Sequence, residues 1–174
     1  GRDGSGTVEI PGPGVPPEWL GRDVAILRGD TGVNRAGTLA ELVSIPMDQL
    51  ISIPIDWSME QAAAAPLVYL TAWQALTQWG PLAAGDCVLI TGATGGVGIA
   101  AIHLAEAMGL RAIGLSRDEE KRGRLRAIGA AEVFDPASES LVPDVRQFVG
   151  PSGVRVVIDS VGGAGLPPLL DTLG

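Results

Sequence analysis

The feature that most constrains this chain is the segment CVLITGATGGVGIAAIHLAEAMG, residues 87–109. Its first residues predict a buried strand, a glycine-rich loop follows, and the remainder predicts a helix. This order is typical of a phosphate-binding turn. The strict pattern G-x-G-x-x-G is absent, because Ala93 takes the first glycine position before Gly95 and Gly98. One imperfect motif is weak evidence, so its meaning depends on the sequence around it.

Strand and helix signals alternate from residue 85 to the last residue. We predict strands at 86–92, 111–116, 131–135 and 154–160, and helices at 97–109, 117–129, 141–150 and from 165 onward. Such alternation indicates βαβ units and a parallel sheet, and the apolar runs CVLI and VRVVI suit strands buried on both faces. The predicted fold class is therefore α/β, with a Rossmann-type parallel-sheet domain that is incomplete at its C-terminus.

The first 58 residues differ, because short apolar runs lie there between glycine and proline clusters. We predict strands at 6–10, 23–27 and 38–46, separated by turns, as in a small barrel or sandwich. Ser58 and Gln61 fit a capping box that starts a helix. Pro66 is expected to end or kink that helix, and a second helix is predicted at 67–78.

Composition excludes several classes of protein. The net charge of −8 argues against nonspecific binding to nucleic acid or to an anionic membrane surface. No apolar run approaches the roughly 18 residues of a membrane span. The single cysteine, Cys87, excludes an intrachain disulfide and a cysteine-rich zinc site. We expect a cytoplasmic protein that acts on a small-molecule substrate, with neither nucleic acid nor membrane as partner.

In the glycine loop, Gly95 would let the backbone approach a pyrophosphate, and Gly98 would let the helix pack closely on the strand. Free N–H groups from Gly96 to Gly98 would point at the phosphates, with the helix dipole behind them. Ala93 is tolerated if the turn needs no positive φ at that position. The alternative is a glycine turn without function.

The end of the second strand of the α/β region discriminates between the two nicotinamide dinucleotides. An NAD site places Asp or Glu there to accept a hydrogen bond from the ribose 2′-hydroxyl. This chain instead places Ser116 and Arg117 there, with Lys121 one helical turn later. A hydroxyl, a guanidinium and an ammonium suit a 2′-phosphate, which favours NADP(H). Two alternatives stay open: Asp118 could reach a ribose, and the two cations could form a solvated helix face paired with acidic neighbours.

Taken together, these segments resemble the medium-chain dehydrogenase/reductase superfamily, in its zinc-independent quinone oxidoreductase branch. The similar segments follow the order of that family: GRDGSGTVEIPGPGVP, AGTLAELVSIP, AAAAPLVYLTAWQAL, GDCVLITGATGGVGIAAIHLAEAMG, SRDEEK, IGAAEVFD and VVIDSVGG. The alanine variant of the glycine loop belongs to this resemblance.

The resemblance implies a partial GroES-like β-barrel substrate domain at 1–58 and a partial Rossmann dinucleotide-binding domain at 59–174. It implies hydride transfer between NADP(H) and a quinone, carbonyl or activated alkene. It assigns the cofactor site to Thr71 beside the nicotinamide, to the loop residues Thr94, Gly95, Gly96, Val97 and Gly98, and to Ser116, Arg117 and Lys121 around the 2′-phosphate. No catalytic residue is assigned, and Tyr69 is expected to pack in a helix rather than to act as a general acid.

The chain departs from zinc-dependent relatives of this family, and we expect no metal. The segment GRDGSG, with Arg2 and Asp3, stands where those relatives carry Gly-His-Glu, and His103 is expected to be a structural helix residue. The absence of an initiator Met suggests a fragment, a processed form or a trimmed chain. The sheet edge is therefore expected to be covered by further chain or by a partner, and a homo-oligomer, a dimer, is expected. Two other functions stay open, a non-catalytic NADPH-binding protein of the same fold and an enoyl reductase module of a larger synthase.

Overall fold

Short strands occur in the first third of the chain, and strands alternate with helices from residue 87 onward, in a computed structural model that describes residues 1–27 and 29–174. The strands are β1 (Ser5–Thr7), β2 (Asp23–Ile26), β3 (Leu50–Ser52), β4 (Cys87–Ile90), β5 (Arg111–Leu115), β6 (Glu132–Phe134) and β7 (Val154–Ile158). The α-helices are α1 (Met59–Thr77), α2 (Gly96–Ala107), α3 (Glu119–Ala127), α4 (Leu141–Val149) and α5 (Leu166–Leu170).

The chain forms two units, Gly1–Leu70 and Thr71–Gly174, which divide inside α1. The predicted domains, 1–58 and 59–174, place their boundary before that helix, and their assignment to a substrate domain and a cofactor domain stays a prediction.

In the unit Thr71–Gly174, the four strands form a sheet in the order β6-β5-β4-β7. Every pair of neighbours is parallel. This confirms the predicted Rossmann-type α/β fold. All four residues of β4 are buried, as expected of a central strand in a sheet covered on both faces.

Helices cover both faces of this sheet. Side chains of Leu89 in β4 and Ile113 in β5 pack with Val145 of α4 and Leu169 of α5. The neighbouring residues of each strand point to the opposite face, where α2 and α3 contact the strands. Small buried residues of α2, such as Ala101, let that helix approach the sheet closely.

In the unit Gly1–Leu70, β1, β2 and β3 form an antiparallel sheet with β2 at its centre. The predicted strand at 38–46 is wrong, because that segment forms bends and extended coil without ladder pairing. Leu39, Leu42 and Val43 of this segment are exposed, and Leu39 is 92% accessible. The place beside β2 is instead taken by β3, which the sequence analysis missed.

Helix α1 runs unbroken through Pro66, so the prediction of two helices is wrong. An interior proline removes one N–H donor and crowds the carbonyl four positions earlier, at a cost of about 3 kcal/mol, which the remaining contacts of this 19-residue helix offset. The predicted capping box is confirmed. Gln61 N–H donates to Ser58 Oγ at 3.2 Å, and Ser58 N–H donates to Gln61 Oε1 at 2.9 Å.

None of the helices within residues 1–27 and 29–174 combines the length and the apolar character needed to span a bilayer.

Candidate functional site

The turn after β4 needs glycine one residue earlier than the sequence motif suggests. Gly92 has φ +57°, and a Cβ built on it would lie 2.3 Å from Ser160 Oγ. Ala93, which takes the glycine position of the motif, is fully buried, and no non-glycine residue of the described chain has a positive φ. Alanine is therefore compatible with this turn, as the sequence analysis required.

Two other glycines of the loop have different surroundings. A Cβ at Gly98 would lie 2.5 Å from Ala93 Cα and 2.6 Å from Gly92 O, so only glycine lets α2 approach the turn this closely. At Gly95 the nearest atom to an added Cβ, Gly92 O, is 3.3 Å away. Gly98 is thus required for packing, whereas Gly95 keeps an exposed backbone surface.

The N-terminus of α2 lies at this exposed surface. Gly95 is its N-cap residue, with extended backbone, and no side chain caps the helix. The N–H groups of Gly96, Val97 and Gly98 belong to the first helical turn, which has no preceding carbonyls to bond. Such groups, together with the positive end of the helix dipole, suit an anion such as a phosphate.

A cavity of about 410 Å³ lies beyond the carboxyl ends of the strands. Its lining residues lie at or after the ends of all four parallel strands and come also from α3, α4 and α5: Thr91, Gly92, Thr94, Leu115, Ser116, Arg117, Asp118, Lys121, Pro136, Leu141, Val161, Gly162, Gly165 and Leu169. In open α/β sheets, ligands bind in the crevice at this edge. The cavity therefore has the position of a ligand site.

Ser116 and Asp118 are tied to each other where the chain leaves β5. The Ser116 side chain is buried, and its Oγ accepts from Asp118 N–H at 3.3 Å. The Asp118 carboxylate accepts from Lys121 N–H at 3.0 Å and is the N-cap of α3. One oxygen of the acidic group that could have bound a ribose hydroxyl is thus used to start a helix.

The cations of this region fall into two sets. Arg124 pairs with Glu120 at 2.8 Å, Arg126 pairs with Glu132 at 2.8 Å, and Arg122 pairs with two acidic groups. In contrast, the side chains of Arg117 and Lys121 form neither an ion pair nor a hydrogen bond within the described chain. The two side chains are exposed, as on a solvated face, but the pairing with acidic neighbours is not seen among the described residues. Their positive charge faces the cavity without a counter-ion from the described residues.

Residues after β4 and β7 form a second network at the cavity, which the sequence analysis missed. The Thr91 hydroxyl donates to the Asp159 carboxylate, and Ser160 N–H donates to Thr91 Oγ1 at 3.0 Å. The other Asp159 oxygen accepts from Gly162 N–H at 2.9 Å. The only signal was the polar sequence DS directly after the apolar strand VRVVI.

The remaining predicted cofactor residues lie outside the set that lines the cavity. Gly95, Gly96, Val97 and Gly98 lie in the loop and first turn that adjoin the lining residue Thr94, and Thr71 lies in α1. Their roles stay predictions.

Other titratable residues from the sequence analysis are placed as follows. His103 is half-buried in the middle of α2, and Tyr69 belongs to the unit Gly1–Leu70. Burial raises the pKa of the Cys87 thiol, which therefore stays protonated and unreactive at neutral pH. Within the described ranges, no group of three or more His, Cys, Asp or Glu residues could hold a metal ion. The expectation that zinc takes no part stays a prediction.

The chain is similar in sequence to dehydrogenases, a polyketide synthase and a quinone oxidoreductase. Residues 96–174 match the family model described as zinc-binding dehydrogenase. A mycocerosic acid synthase-like polyketide synthase of Mycolicibacterium smegmatis is 34% identical over 163 residues, which are 94% of this chain and 7% of that protein. A quinone oxidoreductase of Pongo abelii is 31% identical over 169 residues, which are 95% of this chain and 49% of that protein.

Solved structures agree with these relatives. A crystal structure of an NAD-dependent alcohol dehydrogenase has a TM-score of 0.91 at 33% identity and covers all of this chain and 57% of its own. The Escherichia coli quinone oxidoreductase complexed with NADPH has a TM-score of 0.84 at 30% identity and covers all of this chain and 52% of its own. The chain thus spans about half the length of these dehydrogenase and reductase chains.

Proposed function

Since the chain belongs to the medium-chain dehydrogenase/reductase superfamily, in its quinone oxidoreductase-like branch, we propose that it is the NADP(H)-binding part of an oxidoreductase. Its reaction is hydride transfer between NADP(H) and a quinone, carbonyl or activated alkene, without zinc. The observation that carries the choice of cofactor is the pair of cations Arg117 and Lys121, which have no ion-pair partner among the described residues, beside the buried Ser116 at the cavity.

The fold alone does not choose between NAD and NADP, because an NAD-dependent alcohol dehydrogenase and an NADPH complex share this backbone. The choice rests on the residues after β5. An acidic side chain at the end of that strand would favour the ribose hydroxyls of NAD, and Ser116 occupies that place. A 2′-phosphate is doubly charged near neutral pH, so it gains from two cations that form no ion pair within the described ranges of the chain.

The other parts of a dinucleotide also have counterparts in the site. The exposed backbone at Gly95 and the uncapped start of α2 suit a pyrophosphate. Apolar side chains of Leu115, Leu141 and Leu169 line the cavity and suit the faces of an adenine ring. The residues present therefore fit NADP(H).

In this proposal the nicotinamide supplies the hydride, and the protein supplies binding, orientation and electrostatics. Ser116, Arg117 and Lys121 hold the 2′-phosphate, and the N–H groups from Gly96 to Gly98 hold the pyrophosphate. Thr71 stays the predicted residue beside the nicotinamide. No proton donor is assigned from this chain.

The test compares binding of NADPH and NADH to the protein and to Arg117→Ala and Lys121→Ala, by titration calorimetry. We expect the protein to bind NADPH more tightly, and each substitution to weaken NADPH binding about 10- to 100-fold with little effect on NADH. Arg124→Ala is the matched control, because Arg124 lies in α3 as Lys121 does, and is exposed and paired with Glu120. Tighter binding of NADH by the unsubstituted protein would contradict the proposed cofactor.

The role of zinc is tested separately on the full natural protein. We expect the turnover of NADPH with a quinone to be unchanged after exhaustive treatment with a chelator and to show no gain when zinc is restored. Activity that is lost with the chelator and returns with zinc would contradict this part of the proposal.

A second candidate substrate class is an enoyl thioester, reduced by an enoyl reductase module of a larger synthase. The similarity to the polyketide synthase favours it, because nearly all of this chain matches a small part of a much longer protein. An assay of the full natural protein with α,β-unsaturated thioesters and with quinones separates the two classes. NADPH binding without oxidation by any acceptor would indicate a non-catalytic binding protein.

A further inference from the structure

Arg122, in the first turns of α3, bonds to the protein backbone rather than lining the cavity. The Arg122 side chain is 19% exposed, and its Nη1 donates to Ser116 O at 2.9 Å and to Arg117 O at 3.1 Å. These are the backbone carbonyls of two residues that line the cavity. Arg122 itself is not among the residues that line the cavity.

The carbonyls that Arg122 bonds lie where the sheet ends. Ser116 N–H donates to Phe134 O at 3.0 Å, and Phe134 is the last residue of β6. Beyond that bond, no strand in the described part of the chain pairs with the peptide planes that follow Ser116 and Arg117. Arg122 supplies the missing donors, and so sets the direction in which those two residues leave the strand.

The charge of Arg122 is compensated from two sides. Its Nη1 lies 3.7 Å from Asp135 Oδ2, and its Nη2 lies 4.0 Å from Glu119 Oε2. Asp135 directly follows β6 and precedes Pro136, which lines the cavity. The guanidinium thus joins the turn after β5 to the turn after β6, which a planar fork of donors does better than an ammonium.

We propose that Arg122 is a positioning residue that determines the dinucleotide preference of the site by holding Ser116 and Arg117 in place for a 2′-phosphate. The proposal rests on the proposed function, since it concerns the same cavity. Arg122 acts through the backbone, whereas Arg117 and Lys121 act through their charge.

The experiment is a double-mutant cycle on the intact protein. Dissociation constants for NADPH and NADH are measured for the protein, Arg122→Gln, Arg117→Ala and the double variant. We expect Arg122→Gln to weaken NADPH binding about tenfold and NADH binding less than about twofold. In the Arg117→Ala background, the same change should weaken NADPH binding less than about threefold, because the group that Arg122 positions is gone.

Two further variants keep this test decisive. Arg124→Gln removes an equal charge two residues further along α3, from an exposed pair, and should leave both dissociation constants unchanged. Arg122→Lys keeps the charge without the fork and should reproduce the selective loss of NADPH binding. It takes over the test if a thermal unfolding curve shows that Arg122→Gln does not fold.

Equal weakening of NADPH and NADH binding by Arg122→Gln would overturn the proposal. So would a double variant whose loss of NADPH affinity equals the product of the losses in the two single variants. An error in the proposed cofactor would instead show in the unsubstituted protein, as tighter binding of NADH than of NADPH. If that protein prefers NADPH but Arg122→Gln affects both dinucleotides equally, only the inference about Arg122 is wrong.

Discussion

Thr91, directly after β4, donates its hydroxyl to the carboxylate of Asp159, directly after β7, although the two residues are 68 positions apart in sequence. The bond joins the carboxyl ends of two neighbouring parallel strands at the edge that carries the cavity. Asp159 also accepts from Gly162 N–H, so one carboxylate fixes the strand end and the loop that lines the cavity.

Replacing Thr91 by Val keeps the shape of the side chain and removes the hydroxyl. The Asp159 carboxylate and Ser160 N–H then lose a partner, so we expect a loss of about 1–3 kcal/mol in the free energy of unfolding. Urea denaturation measures this loss. Thr94→Val is the matched control, because Thr94 is exposed, and it should change stability by less than about 0.5 kcal/mol. Equal stability of the two variants would show that the Thr91–Asp159 bond contributes little.

Alanine at Gly98 should lower stability, whereas alanine at Gly95 should mainly weaken NADPH binding. At Gly98 the new methyl would lie 2.5 Å from Ala93 Cα, against backbone that cannot rotate away, so we expect a loss of stability of about 1–3 kcal/mol. At Gly95 the nearest atom is 3.3 Å away, so the fold should be nearly as stable while NADPH binds more weakly. Thermal unfolding and titration of both variants check the pair. Unimpaired folding of Gly98→Ala would refute the close approach of α2.

The N-cap of α3 gives a third prediction. Asp118→Ala removes the acceptor for Lys121 N–H, and we expect α3 and the chain to lose about 1 kcal/mol of stability. Asp118→Asn keeps an acceptor oxygen at the same place and should lose only a small part of that. Chemical denaturation of the two variants distinguishes the cap from a purely electrostatic role. If asparagine is as costly as alanine, the negative charge is what stabilises the helix.

Stability should also depend on the ionisation of Glu132. Its carboxylate accepts from Val133 N–H at 2.8 Å, which lowers its pKa below the ordinary value of 4.5, and the Arg126 guanidinium lowers it further. The ionised form therefore stabilises the fold above about pH 4.5, and this contribution is lost as the pH falls through the lowered pKa.

We expect Glu132→Gln to lower the midpoint of thermal unfolding at pH 7, and the difference from the unsubstituted protein to shrink as the pH falls below about 4.5. Glu139→Gln is the control, since Glu139 is exposed. A difference that is constant across this range would show that the charge of Glu132 plays no part.

The parts of the site that the sequence predicted are local. The order of strand, glycine loop and helix from Cys87 to Gly109 needs only neighbouring residues, and the structure forms β4 and α2 there. The same holds for Ser116, Arg117 and Lys121, which one turn and the first turn of α3 bring to the cavity. Short-range patterns were sufficient to predict these groups, because each group lies close in sequence to the end of the strand that positions it.

The parts that the sequence could not predict depend on which strands become neighbours. Pairing of β7 with β4 brings Asp159 to Thr91, and nothing near either residue specifies that pairing. The wrong strand at 38–46 has a similar cause. Its apolar pattern suits a strand, but the place beside β2 is occupied by β3, and a strand without a partner does not form.

The cations that follow β5 differ in whether their side chains bond to the protein itself. Arg122, Arg124 and Arg126 are bonded within the protein, so exchanging any of them disturbs contacts that the fold uses. The side chains of Arg117 and Lys121 have no such bonds within the described residues, so exchanging them leaves those contacts intact. Under the proposed function, evolution or an engineer can therefore change the charge that meets a 2′-phosphate at these two positions without disturbing the contacts of the scaffold.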